Sequence, residues 1–478
     1  MADPLVDLLA LDRDVRRAAQ RLEQLRHWHA LGTKEGRDKA RSFDPFDARH
    51  VAVKATYDAL GKDTPSLLDV PLRDGLLRWV HELLQARVGL DLALTDADEE
   101  SELDPRLSAS QLAELKAQDL ARIAVGPGEP PAAKDTRGHV AHTYRDAFRA
   151  IVTSPNEGLA SAALTRAGEL SLRVAAVRKE RRERRFEAAR RIGLAHPWAL
   201  ASTHDVRALA LSFLDASEPL AVALFKRARK DAAAPWRASS AIQLALGHGA
   251  QQGWPAYLGQ RWLDETFAAI APRGVEIAPP PEPLGSATFL RAAMAWGFAW
   301  RTSGAARSLP FALARDPYPV PAHRFGFAMA SVVAEPAFQR GALDLSSRSA
   351  SAQSRVLRTT MFLEARTLAA RAALSADEAT SASLFEEITS RVFGAPLPAS
   401  LRDAWPDLRA GEPAQLLGLL GTQAFLRDLV HRYDDDWFRN PKAGKHLTSL
   451  ACGPAFDLEP LSASAAPDLA RAFEEAIG

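Results

Sequence analysis

The segment His323-Arg-Phe-Gly-Phe-Ala-Met-Ala-Ser331 lies within the stretch Pro321 to Leu374, around which the rest of the 478-residue chain is organised. Read as a helix, it places His323 and Phe327 on one face, with Arg324 beside the histidine. An imidazole can bind a metal ion, but a phenyl ring has no lone pair and a guanidinium stays protonated in proteins. The segment therefore predicts a helix with one metal-binding side chain and a fixed positive charge.

This helix resembles the H-E-F-G-H segment of the thimet oligopeptidase and oligopeptidase F family of zinc metallopeptidases. A catalytic zinc helix needs two histidines four residues apart and a glutamate beside the first, which takes a proton from the metal-bound water. Here His323 keeps the first ligand position, Phe327 replaces the second ligand and Arg324 replaces the base. The resemblance implies a peptidase scaffold that has lost its zinc site, so no cofactor is expected.

Further segments follow the order of the family's motifs. Arg178 to Gly193 is similar to its long helix, Leu416 to Gly421 to its closing helices, and Trp437 to Gly444 to its W-x-x-x-P-x-A-G turn. Met361 to Thr367 is similar to the F-x-x-E-x-x-S helix, whose glutamate is the third zinc ligand. That ligand would correspond to Glu364, although the gap from the first ligand is longer than usual in the family. The family's late tyrosines have no counterpart around Ala414 to Leu417.

The resemblance implies an all-α, two-lobed fold with a central groove. We divide the chain into an N-terminal helical lobe, residues 1–125, and a peptidase-like helical region, residues 126–478, packed as one compact unit. The division falls at Gly126 to Pro131, a glycine- and proline-rich segment that interrupts helical patterning. The protein is predicted to lack peptidase activity and to bind a peptide or protein partner in the former active-site groove.

The carboxylate of Glu364 needs a partner once the metal has gone, because an unpaired buried anion is costly. We predict that the guanidinium of Arg324 takes the metal's place and pairs with Glu364, with His323 nearby. In the other interpretation, Arg324 points to solvent and Glu364 pairs with Arg358, Arg371 or another neighbour.

A second functional interpretation is an enzyme with a replaced active site. His139, His142 and Asp146 follow one another at steps of three and four residues, so a helix would direct them to one face, where they could hold a metal ion for hydrolysis. The same spacing also arises by chance in helices that bind no metal. Non-metal chemistry could instead centre on His323 and Arg324, because a guanidinium can hold a carboxylate or phosphate through two N–H groups.

The composition is that of a globular protein, with 47% hydrophobic and 25% charged residues. Sixty basic and 59 acidic side chains nearly balance, which gives no reason to expect nucleic acid or an acidic membrane as a partner. The single cysteine, Cys452, excludes an intramolecular disulfide and suits a reducing compartment. Neither a signal peptide nor a long apolar run is apparent, so a cytoplasmic location is expected. The preference for alanine and arginine suggests a bacterial genome of high GC content.

Local patterns predict the helices that surround the central segment. Apolar residues at three- and four-residue steps indicate helices over Val206 to Arg229 and Thr288 to Arg301. The basic run Arg178 to Arg191 carries interleaved acids, which favours a solvated helix face over a nucleic-acid contact. The serine-rich stretch Asp344 to Ser354 predicts a loop.

Overall fold

The computed structural model describes residues 4–30, 71–83, 157–191, 205–231, 286–375, 380–402, 411–456 and 461–478, with short pieces at 151, 194–196, 239–240, 242 and 275. Within these ranges the regular structure is helical, and the predicted all-α fold is confirmed. The proposed boundary between residues 125 and 126 lies outside them, so the division into two regions stays a prediction.

The helices are numbered here in chain order. They are α1 (Pro4–Ala30), α2 (71–83), α3 (Glu157–Arg191), α4 (Val206–Ala216), α5 (Glu218–Asp231), α6 (Ser286–Ser303), α7 (Phe311–Ala314), α8 (Val320–Ala334), α9 (Pro336–Leu343), α10 (Ser347–Ser375), α11 (Ala382–Phe393), α12 (Gly411–Tyr433), α13 (Pro441–Cys452) and α14 (Ala465–Ile477). Single turns of 3-10 helix cover Ala399–Leu401 and Trp437–Arg439. The predicted helices over the basic run and over Thr288 to Arg301 are confirmed by α3 and α6.

Helix α8 carries the central segment and crosses α6 and α12 at close range. A Cβ added to Gly297 of α6 would lie 2.5 Å from the carbonyl oxygen of Phe325, and one added to Gly326 of α8 would lie 2.7 Å from that of Met294. Side chains at helix crossings normally hold the two axes apart. Glycines at both contact positions let the backbones of α6 and α8 touch, which fixes α8 firmly in the protein.

Three apolar cores hold the described helices together. The first lies among α4, α10, α11 and α14, and the second surrounds α6 and the C-terminal half of α8. The third joins α1 and α2 to later parts of the chain, through residues such as Leu8, Leu76, Leu313 and Phe456. The N-terminal helices are therefore packed directly against the connection between α6 and α8.

The single helix predicted over Val206 to Arg229 is wrong, because the structure divides it into α4 and α5 with a bend of 53°. Ser217 stands at the break and donates its hydroxyl to the carbonyl oxygen of Phe213 at 2.6 Å. A serine that bonds back one turn bends a helix, and Pro219 lacks the N–H that a continuous helix would use. Among the described residues, no single helix is long and apolar enough to cross a membrane, and only this bent pair meets the requirement when taken together.

The loop predicted over Asp344 to Ser354 is also wrong beyond its first residues, because α10 begins at Ser347. The hydroxyl of Ser346 accepts a hydrogen bond from the backbone N–H of Ser349 at 3.2 Å and caps the helix. Inside the helix, the hydroxyl of Ser351 donates to the carbonyl oxygen one turn earlier. The hydroxyl groups of these serines thus form hydrogen bonds with the helix backbone rather than with turns.

Candidate functional site

The predicted first ligand, His323, lies in the first turn of α8, where α12 crosses it. A Cβ added to Gly418 of α12 would stand 2.5 Å from the Cβ of His323, so a glycine is required at this crossing. On its other side the imidazole packs on Phe298 of α6, with ring centroids 4.8 Å apart. His323 is therefore enclosed between two helices.

Burial determines the protonation state of this imidazole. Removal from water disfavours the charged form and lowers the pKa of His323 to about 4. The ring is consequently neutral at physiological pH and keeps a lone pair, although it has little access to solvent.

Arg324 lies against α12, one turn further along. Its Nε would be 2.8 Å from a Cβ added to Gly421, and its Nη2 would be 3.2 Å away. Gly418 and Gly421 together clear a strip of bare backbone on α12, and His323 and Arg324 fill it. The segment Leu416 to Gly421 thus has a packing role, because its glycines allow the first turn of α8 to lie directly against α12.

The predicted second ligand position lies inside the apolar core. Phe327 is 7% exposed and belongs to the core of α4, α10, α11 and α14. Its neighbour Phe325 is 3% exposed and stacks on Phe425 at 5.3 Å, with its edge on Trp300 at 5.9 Å. Both rings fill the space around α8. Packed apolar side chains therefore occupy the region where the resemblance places a metal ion.

Glu364, the predicted third ligand, is paired by an arginine of α6. Both Nη2 and Nε of Arg291 donate to its Oε1, at 2.7 and 3.2 Å. The second of the two interpretations expected such a neighbour, but nothing in the local sequence pointed to Arg291. Arg358, one of the candidates, pairs instead with Glu335 at the end of α8.

These residues do not fit a catalytic zinc ion. Such a site needs three side chains with free lone pairs that converge on one point, whereas the predicted positions offer one enclosed imidazole, one phenyl ring and one carboxylate held by Arg291. Within the described ranges, no group of three His, Cys, Asp or Glu side chains could hold a metal ion. The alternative ligands His139, His142 and Asp146 lie outside those ranges.

A cleft of about 800 Å³ opens beside α8, next to Phe298 and Ala322. Its walls come from α1, α2, the C-terminal end of α6 and the connection between α6 and α8. Four arginines line it: Arg16, Arg301, Arg307 and Arg315. The sequence did not single out these residues: three of them lie at the end of α6 and in the connection that follows it, and only the tertiary fold brings Arg16 of α1 beside them.

The floor of the cleft is tied to the N-terminal helices by buried polar contacts. Asp12 accepts hydrogen bonds from the backbone N–H groups of Phe311 and Ala312, at 2.8 and 2.7 Å, and so caps α7. The indole N–H of Trp79 donates to the carbonyl oxygen of Arg315 at 2.7 Å. These contacts hold the connection in place, so the cleft is preformed.

An ion pair completes this attachment. Arg78 of α2 grips Asp316 through two N–H groups, at 2.8 and 2.7 Å. Asp316 has no exposed side-chain surface. A bidentate arginine–carboxylate pair of this kind is directional as well as strong, so it orients the connection as well as holding it.

No family model and no curated protein sequence matches this chain. Among solved structures it is similar to PZ peptidase A with inhibitor 2, at 11% identity and a TM-score of 0.46, over 99% of this chain and 97% of the other. It is also similar to a protein of Bacillus anthracis str. Ames assigned as an oligoendopeptidase F, at 12% identity and a TM-score of 0.49, over 93% and 85% of the two chains. Both of these solved structures carry peptidase names, and their identity to this chain is low.

Proposed function

We propose that this protein is a catalytically inactive, peptidase-like helical protein that binds a short peptide, or a peptide segment of a protein partner. One observation carries the proposal: the helix with the peptidase-like segment is closed by packing at its former chemical positions, while a cleft remains open along the same helix at Ala322. In this proposal, the protein binds a peptide but does not hydrolyse it.

The arrangement at α8 supports the absence of hydrolysis. The position of the family's general base is occupied by Arg324, whose side chain cannot accept a proton. His323 is neutral, and Phe298 on one side and the backbone of α12 on the other restrict its approach to a scissile bond. Neither residue offers the activated water that peptide hydrolysis requires.

The cleft supports binding of a short peptide. Volumes of about 300–1,000 Å³ are typical of sites that enclose small ligands, and this one has about 800 Å³. Its lining combines aromatic rings, such as Phe298 and Phe311, with charged and hydroxyl side chains. A peptide needs this mixture, because its side chains are often apolar whereas its backbone and termini are polar.

The test uses the purified full chain, prepared without chelators. We expect less than about 0.1 equivalent of zinc or other transition metal by plasma mass spectrometry, since catalytic and structural sites normally retain their ion. We also expect no cleavage of a pooled set of fluorogenic peptides, with or without added zinc, and saturable binding of peptides from the same pool. Cleavage that is lost in His323→Ala would overturn the proposal in favour of an enzyme centred on His323. One equivalent of metal that is lost in His142→Ala would favour the alternative metal hydrolase.

A further inference from the structure

We propose that the cleft recognises a carboxylate, and specifically the free C-terminal carboxylate of a short peptide with an apolar last residue. This inference rests on the proposed peptide-binding function and adds the chemical feature that the ligand must carry.

The lining of the cleft is positively charged, although the whole chain is nearly neutral at a net charge of +1. Among the described residues of the lining, the four arginines face two acidic side chains, Glu23 and Asp316. Asp316 is already bound by Arg78, so its charge is compensated from outside the lining. A cleft with one dominant sign of charge concentrates ions of the opposite sign, which predicts an anionic ligand.

Three of these arginines are exposed and can reach a ligand. Arg16 and Arg307 make no ion pair or side-chain hydrogen bond within the described part of the chain. Arg315 donates Nη1 to the carbonyl oxygen of Thr302 at 2.6 Å, which fixes its direction and leaves further N–H groups for a ligand. Arginine is suited to a carboxylate because its planar fork matches the two oxygens.

The walls favour a ligand that is apolar next to its charge. Trp79 and Phe311 pack together with ring centroids 5.0 Å apart, and both line the cleft with Phe298. Aromatic walls bind apolar side chains and exclude water, which strengthens an ion pair beside them. An inorganic anion would use the arginines alone, whereas the last residue of a peptide uses both features at once.

The first arm of the experiment compares acetylated tripeptides that end in Phe or Leu with their C-terminal amides. Cys452 provides the probe, because it is the only cysteine, it is exposed, and its carbonyl oxygen accepts a hydrogen bond from the N–H of Ala306 in the cleft wall. A fluorophore on this thiol reports occupancy by anisotropy or intensity. We expect the acids to bind at least about tenfold more tightly than the amides, which is the effect of one lost charge-assisted contact.

The second arm uses variants matched in charge. Arg16→Gln/Arg307→Gln removes two cleft cations, and Lys226→Gln/Arg227→Gln removes two exposed cations from α5, which does not line the cleft. We expect the first variant to lose most of its preference for the acid, with Arg315 still present, and the second to keep the preference of the unmodified chain; an unchanged preference in the first variant would overturn the inference. A loss of preference in both variants would show that only net charge matters and would overturn the inference.

The remaining outcomes separate this inference from the function on which it rests. Equal binding of acid and amide by the unmodified chain would overturn carboxylate recognition and leave peptide binding intact. No binding of any tripeptide, together with no saturable binding from the larger pool, would overturn both. Competition by millimolar inorganic phosphate as effective as that by the peptide acids would show a general anion site and would also overturn the inference.

Discussion

Replacement of Gly418 by alanine tests the close crossing of α8 and α12 on which the closed site depends. The added Cβ would stand 2.5 Å from the Cβ of His323, and 2.9 Å from both the backbone nitrogen of Arg324 and the carbonyl oxygen of Val320. Carbon atoms pack best at about 3.5–4.0 Å. The two helices must therefore separate locally by about 1 Å, because backbone atoms cannot rotate aside as a side chain can.

The expected magnitude follows from two opposing effects. Overpacking of this kind costs about 1–3 kcal/mol, whereas alanine is better than glycine in a helix by about 1 kcal/mol. Gly418→Ala should thus lower the free energy of unfolding by up to about 2 kcal/mol. Gly421→Ala, one turn away, is the matched control: its Cβ would meet only the flexible end of Arg324, so we expect no loss and a gain of up to about 1 kcal/mol.

Urea denaturation followed by far-UV circular dichroism measures the difference between the two variants. Midpoints can be compared if the slopes of the transitions agree, since the slope reports the surface exposed on unfolding. If the two variants are equally stable, or if Gly421→Ala is the less stable one, α12 does not lie against the backbone of α8 at Gly418 and the reasoning fails.

Three further predictions concern His323, a buried arginine and the floor of the cleft. Burial lowers the pKa of His323 in the folded protein from 6.5 to about 4, so the unfolded chain binds the proton first as the pH falls. The free energy of unfolding should therefore decrease by up to about 3 kcal/mol between pH 6.5 and pH 4. Urea midpoints measured across this range should fall less in His323→Gln. Arg366 has no exposed side-chain surface and donates to the carbonyl oxygens of Leu214 and Arg391, at 3.0 and 2.7 Å. Arg366→Met leaves both acceptors without this donor and should lower the free energy of unfolding by at least about 2 kcal/mol; an unchanged thermal midpoint would contradict this. Asp12→Ala should lower the free energy of unfolding by about 1–2 kcal/mol, because the cap of α7 is lost. It should also weaken peptide binding in the cleft, and an unchanged affinity in calorimetric titration would refute this link.

The sequence predicted the helical class and the location of α8 through the family resemblance, and the location of α6 through its apolar residues at three- and four-residue steps. It also identified Leu416 to Gly421 as a significant segment, although only the crossing with α8 shows why glycines are needed there. The break at Ser217 was missed because a hydroxyl can satisfy helical backbone or bend it, and the choice depends on packing. The pairing of Glu364 with Arg291 was missed because the two residues are 73 positions apart and nothing local connects them.

The attachment of the N-terminal helices has a consequence for the order in which the protein assembles during synthesis. Asp12 finds its two backbone partners 299 and 300 residues later in the chain. At synthesis rates of about 5–20 residues per second, α1 leaves the ribosome about 15–60 seconds before those partners exist. Throughout that interval its apolar face, with Leu8, Val15 and Leu22, lacks the later part of its core, which Leu313 and Phe456 supply. The newly made α1 thus exposes apolar side chains during that interval, and the cleft can form only after most of the chain has been translated.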